Sequence, residues 1–473
     1  MQDTQDSTRD SNISELMNSL DRRLTSVVDQ ELAAKVFIKA FSSMLELAEN
    51  KWMNATPPSG LSDYARQRWL ERAKSLLPTI STLEDIRKLR VALHNKSASV
   101  LAAICPNGHE TIIARLDKEG TVPVVTGARK RRFTKEDVER MLNGEVKSIK
   151  CPQCGMDAQI VAMPEDPITR TVGDVMGSME ELIEDRLGRM IVNHPVYAWV
   201  SHVYGLGPAL SARLIAIIDA AAARGLTKTA QVWKLANLHV VHVCFNCGLL
   251  VMDPLSTNFT CPKCGKPTIG FAPTKYNMTV LGTKLPRTVA LYRHGSIVEM
   301  EKGDALKAIA GNPQFRASMR LIVNQFMLRV SKSPSVYTVI LLKKMLDYAP
   351  KVKPIVDRSR ARTQSTKGTG IVFTKVWPLI ARMLSDHAWT VYSIARGTWS
   401  GPMPLYTQHN HEWIPPLVDD PPSKVLKNEL MNKVVKRIED VTKIDVVKVW
   451  EYWQRERDKS LIYYNDLLEK LSK

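Results

Sequence analysis

Apolar positions recur at helical spacing over most of the chain and alternate only in short stretches, which predicts a mainly α protein. From Ile13 to about His94 the helical period runs through Leu16, Leu20, Leu24 and Val27/Val28, then through 34–49 and 61–77. Pro57-Pro58-Ser59-Gly60 interrupts it. Thr111–Leu116 and Val122–Val125 read as strands joined by a polar turn, and a helix opened by Thr134 is expected over Lys135–Leu142. Thr169 to Asn193 predicts a helix that stops before His194-Pro195. Residues 274–400 read as mixed helices, and Ser423 to Ser472 as two amphipathic charged helices with a break near Thr442.

At 473 residues the chain is long enough for two to four compact units, and 44% hydrophobic with 24% charged residues fits a folded protein. The longest apolar run, Ala209 to Ala223, is cut by Arg213 and Asp219, so no membrane span is expected. The polar start MQDTQDSTRD resembles neither a secretory nor a transit signal, so the expected location is the cytoplasm. The expected division is a disordered tail (1–12), a helical domain without chemical motifs (13–98), a first ribbon (99–165), a helical hairpin region (169–240) and a second ribbon (241–272). A basic helical region (273–400), a proline-rich linker (401–422) and C-terminal helices for self-association or protein docking (423–473) follow.

Charge points to a partner class. The chain carries 66 Lys+Arg against 48 Asp+Glu, a net of +18, which favours a polyanion through its summed field and counterion release. From Arg320 to Lys375 twelve basic residues face two acids, Asp347 and Asp357, so +10 of the excess is concentrated there. Within it Arg358, Arg360 and Arg362 alternate in a polar stretch (351–367) expected as a loop along phosphates, the alternative being a plain solvated loop. Arg129, Lys130, Arg131 and Arg132 form a second basic cluster.

The seven cysteines do not read as a disulfide framework. Cys244/Cys247 and Cys261/Cys264 are CxxC pairs, each followed by glycine, and two such knuckles present four sulfurs to one metal. Cys105-Pro-Asn-Gly-His109 precedes Cys151-Pro-Gln-Cys154-Gly155, giving a three-cysteine, one-histidine set with a basic helical insertion between its halves. Two closed four-ligand sites use every cysteine and suit structural Zn2+, because a catalytic zinc keeps a position open for water.

Pro195 to Asp219 reads as two apolar helices joined at Gly205-Leu206-Gly207, with Pro208 at the first position of the second. The glycines permit a tight bend and close approach of a ligand. The second helix then offers unpaired amides and its positive dipole end to a phosphate oxygen around Gly205, Leu206, Gly207 and Ala209, with Arg213 and Lys228 as candidate neighbours. The alternative is a purely structural turn.

The run Gly205-Leu-Gly-Pro-Ala-Leu-Ser-Ala-Arg-Leu-Ile-Ala-Ile-Ile218 resembles the C-terminal helix-hairpin-helix domain of DEDD-type insertion-sequence transposases, the bridge-RNA-guided recombinases, and the phage and bacterial proteins that share that domain. Further pieces occur in the same order. Gln231–Leu238 is similar to the family's s-l-W-k-y-A-G-L segment, with Asn237 in place of the usual glycine, and Ser333–Tyr337 with Lys343/Lys344 to its S-P-Y segment. Trp377–Tyr392 is similar to its closing helix. The resemblance covers about 180–395 and implies an all-helical DNA-gripping core of mobile-element or phage origin. Neither the family's nuclease carboxylates nor its serine nucleophile can be matched here: residues 1–98 show no strand bearing an early Asp, and the second ribbon occupies the serine's place, with Ser256 inside its loop.

The expectation is therefore a mainly α, multidomain protein with two small β zinc ribbons around a helix-hairpin-helix core, binding DNA by its phosphate backbone. RNA remains open because backbone contacts separate the two weakly. A divergent recombinase and a protein-binding adaptor are the rival readings. Three or more carboxylates within metal-bridging distance would favour the enzyme, with Asp174, Glu180, Glu181, Glu184 and Asp185 the acidic group to inspect.

Overall fold

The computed structural model describes residues 35–36, 38–43, 59–60, 76–97, 100–116, 123–124, 135–163, 167–252, 260–293, 295–330, 332–363, 368–401, 413–460 and 462–463. The tail, most of the N-terminal helical stretch, the Arg129–Arg132 cluster, Ser256 and residues 402–412 lie outside them. The chain divides into two compact units, one of 1–62 with 78–186 and one of 63–77 with 187–473.

In the first unit, α1 (Leu77–Ser97) precedes strands β1 (Val100–Ile104) and β2 (Glu110–Leu116), the short β3 (Pro123–Val124) and α2 (Lys135–Leu142). Strands β4 (Ser148–Lys150) and β5 (Asp157–Met163) lead to α3 (Pro167–Ile191), whose last residues belong to the second unit. The sheet order is β3-β2-β1-β5-β4, antiparallel throughout. Alternation sends Leu101 and Leu116 to the face where Val138 and Met141 of α2 cover them. Ala103 and Ala158 close the end of that face beside Cys105 and Cys151.

The second unit begins its helical core with α4 (Pro195–Val200), α5 (Pro208–Ala223) and α6 (Thr229–Leu235). Strands β6 (Val241–Val243), β7 (Leu250–Val251) and β8 (Ile269–Phe271), helix α7 (Lys275–Lys284) and the hairpin β9 (Thr288–Arg293) and β10 (Ser296–Glu301) follow. Their sheet runs β10-β9-β7-β6-β8, with β7 and β9 parallel and the other pairs antiparallel. Then come α8 (Lys302–Ile309), α9 (Pro313–Leu328), α10 (Val336–Thr363), α11 (Gly368–Ala395), α12 (Pro422–Leu426), α13 (Glu429–Thr442) and α14 (Val446–Asp458). Helix α11 is central and touches α4, α5, α6, α9, α10 and α13. It brings Val376, Trp377, Ile380, Ala381 and Leu384 into the core.

The mostly helical composition, the strands of the first ribbon, the α2 bounds and the break between α13 and α14 agree with the sequence pattern. Three expectations do not hold. Residues 351–363 are the helical continuation of α10, so Arg358, Arg360 and Arg362 lie on a helix and not on a loop. The β9–β10 hairpin occupies a stretch read as helical, turning at Gly295 with φ +80°.

The third is the proline-rich linker, whose end is interior. Trp413, Leu417, Val418, Asp419 and Asp420 are buried. The indole of Trp199 donates to the Leu417 carbonyl at 2.9 Å, and His202 Nδ1 lies 2.7 Å from Asp420 Oδ2. His387 bridges the Tyr337 hydroxyl (2.7 Å) and the Ile414 carbonyl (2.9 Å). Backbone groups without a helix or sheet must find partners when buried, and these side chains supply them. Lys343 pairs with Glu456 of α14, so the C-terminal helices belong to this unit's own core.

Candidate metal centres and nucleic-acid interface

Four turns of related build carry the metal-ligand candidates. In three of them the first cysteine's amide donates to the carbonyl five residues on: Cys151 to Met156 (2.8 Å), Cys244 to Leu249 (2.9 Å) and Cys261 to Lys266 (2.8 Å). The glycine after each CxxC returns a bond to the first cysteine's carbonyl, with Gly155, Gly248 and Gly265 at φ +74°, +73° and +69°. That left-handed backbone is why glycine stands there. The fourth turn is a variant: Gly108 (φ +74°) bonds the Cys105 carbonyl, the Cys105 amide donates to the His109 carbonyl, and His109 takes the second ligand position.

The turns meet in pairs. Cys105, His109, Cys151 and Cys154 form one group and Cys244, Cys247, Cys261 and Cys264 the other, with donor atoms within 4.8 Å of one another in each. Cys105 Sγ lies 3.5 Å from His109 Nδ1 and 3.6 Å from Cys154 Sγ. Cys244–Cys264 and Cys247–Cys261 are both 3.5 Å apart. A tetrahedron with metal–sulfur bonds of about 2.3 Å has edges of about 3.8 Å, so each group fits one four-coordinate ion. Backbone donation to the sulfur from Gln153 lowers the Cys151 thiol to about 6, and that from Lys266 lowers Cys264 to about 6. Burial and the neighbouring thiols push Cys247 up to about 12. Four sulfurs this close cannot share negative charge without a cation between them.

The bend between α4 and α5 divides its two glycines by role. Gly205 sits at φ +95°, where a Cβ would stand 3.0 Å from Arg329 Cδ and 3.5 Å from Gln325 Cγ. Gly207 has φ −67° and ψ 175°, open to any residue, and a Cβ there meets nothing within 4 Å. It is exposed, caps α5 without a side-chain bond, and is followed by Pro208 at the first helical position. Among the described residues the Gly207 and Ala209 amides have no hydrogen-bond partner. Leu206, between the two glycines, is buried.

Other residues read from the sequence stand elsewhere. Arg213 is 2% exposed and its guanidinium reaches Ser318 Oγ at 3.5 Å, so it is a core residue and not presented to a phosphate. Lys228 is exposed but follows the far end of α5, about 24 Å along a sixteen-residue helix from Gly207, so the two cannot hold the same phosphate. The side chains of Arg358, Arg360 and Arg362 lie outside the described residues. Trp377 and Trp389 are buried in the core. Glu180 pairs with Arg87 and Arg90, Glu184 with Arg87, and Asp174 with Arg170. Among the described residues only the two cysteine groups gather three or more metal-binding side chains. No described helix is long and apolar enough to cross a membrane.

Two functional-site neighbours were not legible in the sequence. Arg329 caps α9 beside Gly205, adding a cation at the bend, and only the folded path of α9 brings it there. Asp419 accepts from the Tyr204 amide (2.8 Å), the Ser335 hydroxyl (2.6 Å) and the Val336 amide (2.8 Å), fixing the entry to the bend and the start of α10 together. Compared with family models, curated proteins and solved structures, the chain matches none.

Proposed function

We propose that both cysteine groups hold Zn2+ as structural sites and that the chain binds DNA through its phosphate backbone, using the Gly205–Ala209 bend as a helix-hairpin-helix grip. The observation that carries this reading is Gly207: an exposed glycine whose backbone angles do not require glycine, at a helix start whose Gly207 and Ala209 amides lack partners. With no Cβ at Gly207 and nothing within 4 Å of where one would stand, these amides are open to close approach by a ligand. The dipole of α5 and the cation of Arg329 favour an anion as that ligand.

A bound Zn2+ would offset two of the thiolate charges in each group, and its ligands would tie two turns together. Cys105, His109, Cys151 and Cys154 would hold one ion, and Cys244, Cys247, Cys261 and Cys264 the other. The net charge of +18 supplies the long-range attraction, and backbone amides supply grip without base readout, so weak sequence selectivity follows. A mobile-element or phage setting accords with the transposase-like pattern of Gly205–Ile218.

The test is a titration of purified full chain with duplex DNA and with single-stranded RNA across a salt series, after counting bound metal. Steep salt dependence with two zinc ions per chain is expected. Binding absent at low salt, or insensitive to salt, contradicts the reading.

A further inference from the structure

A second concentration of positive charge lies in the same unit, built by elements far apart in sequence. Arg316 of α9 donates to the Asn237 carbonyl and stacks over Trp377, its Cζ 4.9 Å from the ring centroid. Arg382 of α11 donates from Nε to the next carbonyl, Leu238, at 2.7 Å, and its Cζ stands 5.9 Å from the Trp233 ring. Two guanidiniums are thus anchored on successive carbonyls just past α6, each over an indole ring. Lys234, half-buried, sits on that same end of α6, Arg293 ends β9, and Arg320 stands exposed one helical turn beyond Arg316.

Capping the helix end explains only part of this cluster. The negative end of a short helix favours one nearby cation and supplies carbonyls for Arg316 and Arg382. It gives no reason for Lys234, Arg293 and Arg320 to gather as well. Among the described residues no carboxylate comes within ion-pair distance of any of the five, whereas acids elsewhere pair freely with arginine and lysine. Their mutual repulsion is felt. Burial and then Arg320 lower Arg316; burial and then Arg316 lower Arg382; burial and then Arg293 lower Lys234. His239, held on the Ile309 carbonyl, is brought down to about 4 by burial, with Lys234, Arg382 and Arg316 adding to it.

We propose that Lys234, Arg293, Arg316, Arg320 and Arg382 form a phosphate-oxyanion site, with Arg316 and Arg382 as its fixed floor and Lys234, Arg293 and Arg320 as its accessible rim. Gathered cations without a carboxylate are completed by an anion from outside, and planar, stacked guanidiniums suit an oxyanion better than a halide. Resting on the DNA reading above, the phosphate taken here is one of the nucleic-acid backbone, a contact separate from the Gly207 bend.

The experiment compares full chain with the double variant Lys234→Gln/Arg320→Gln, which leaves both carbonyl-anchored arginines in place, checking helicity and metal content first. Duplex DNA is titrated over a salt series, and inorganic phosphate is titrated against thermal unfolding. The site predicts that the variant's log–log salt slope falls by about one unit, since the one neutralised phosphate contributes about 0.9, and that phosphate protects the parent chain only. An unchanged slope with no phosphate protection overturns this site and leaves the Gly207 reading standing. Phosphate protection that the variant abolishes, in a chain that binds no DNA, keeps the oxyanion site and removes the DNA reading.

Discussion

The Tyr204 amide donates to Asp419 Oδ2 at 2.8 Å, across 215 residues of chain. The same carboxylate takes the Ser335 hydroxyl and the Val336 amide, and its own amide donates to the His202 carbonyl at 2.8 Å. One buried acid therefore ties the residue that opens the glycine bend to the start of α10 and to the chain leading into α12.

Replacing Asp419 with alanine strands two buried donors, the Ser335 hydroxyl and the Val336 amide, and the part-buried Tyr204 amide. Each buried donor left without a partner costs about 1–3 kcal/mol, so Asp419→Ala should lose several kcal/mol, while Asp419→Asn keeps an acceptor and loses less. Urea unfolding of the two variants against the parent checks the ranking. Equal small losses would mean that water replaces the carboxylate.

His387 gives stability a pH dependence. Burial brings it from the usual 6.5 to about 3, so the folded form stays neutral where the unfolded chain takes a proton. Stability is fully present above about pH 6.5 and is lost as pH falls toward 3, at about 1.4 kcal/mol per unit within that window. His387→Gln, able to accept from Tyr337 and donate to the Ile414 carbonyl, should flatten the unfolding midpoint between pH 4 and 6.5 relative to the parent. An identical slope in both proteins would assign the acid sensitivity to other groups.

Metal content separates the two cysteine groups. The full chain should carry two zinc ions, and Cys261→Ser or Cys151→Ser should each lower the count to one. His109→Cys should retain two, since a fourth sulfur serves as well as imidazole. Elemental analysis after dialysis reads this directly, and a count of zero in the parent would break the structural-zinc assignment.

Gly311 marks a close approach that its neighbours enforce. A Cβ there would stand 2.2 Å from the Lys234 carbonyl oxygen and 2.7 Å from Asn237 Cα, both backbone. Asn237 itself has φ +57° and donates from Nδ2 to the Pro273 carbonyl at 3.0 Å. Gly311→Ala should displace α6 or α9 and cost more than Asn237→Ala, for which strain of about 1 kcal/mol adds to the lost hydrogen bond. Thermal melts rank them.

What could be read from sequence and what could not divide along contact range. The knuckle glycines, the α2 bounds and the Gly205-x-Gly207 bend follow from local rules, because a left-handed turn or an N-terminal proline is specified within five residues. Asn237 takes the left-handed backbone more usual for glycine, at φ +57°. Residues 413–420 look like linker because prolines and acids suit solvent; only Trp199, His202 and Tyr337, distant in sequence, make that stretch interior. Arg213 reads as a candidate phosphate neighbour in the sequence, yet α9 packs against α5 and covers it. The β9–β10 hairpin did leave a trace, since Thr288–Arg293 alternates and His294-Gly295 is a turn pair, but neighbouring helical stretches masked it.

Gly207→Asp puts the DNA-binding account to its most direct trial. Aspartate suits an N-cap, the backbone there is open to it and its Cβ meets nothing, so the fold should hold or gain a few tenths of a kcal/mol. The same carboxylate occupies the place of the proposed phosphate. Measured together by thermal melt and DNA titration, stability should stay level or rise while affinity falls tenfold or more, equivalent to about 1.4 kcal/mol. A variant as stable as the parent that binds DNA equally well would show that no phosphate sits at this helix start.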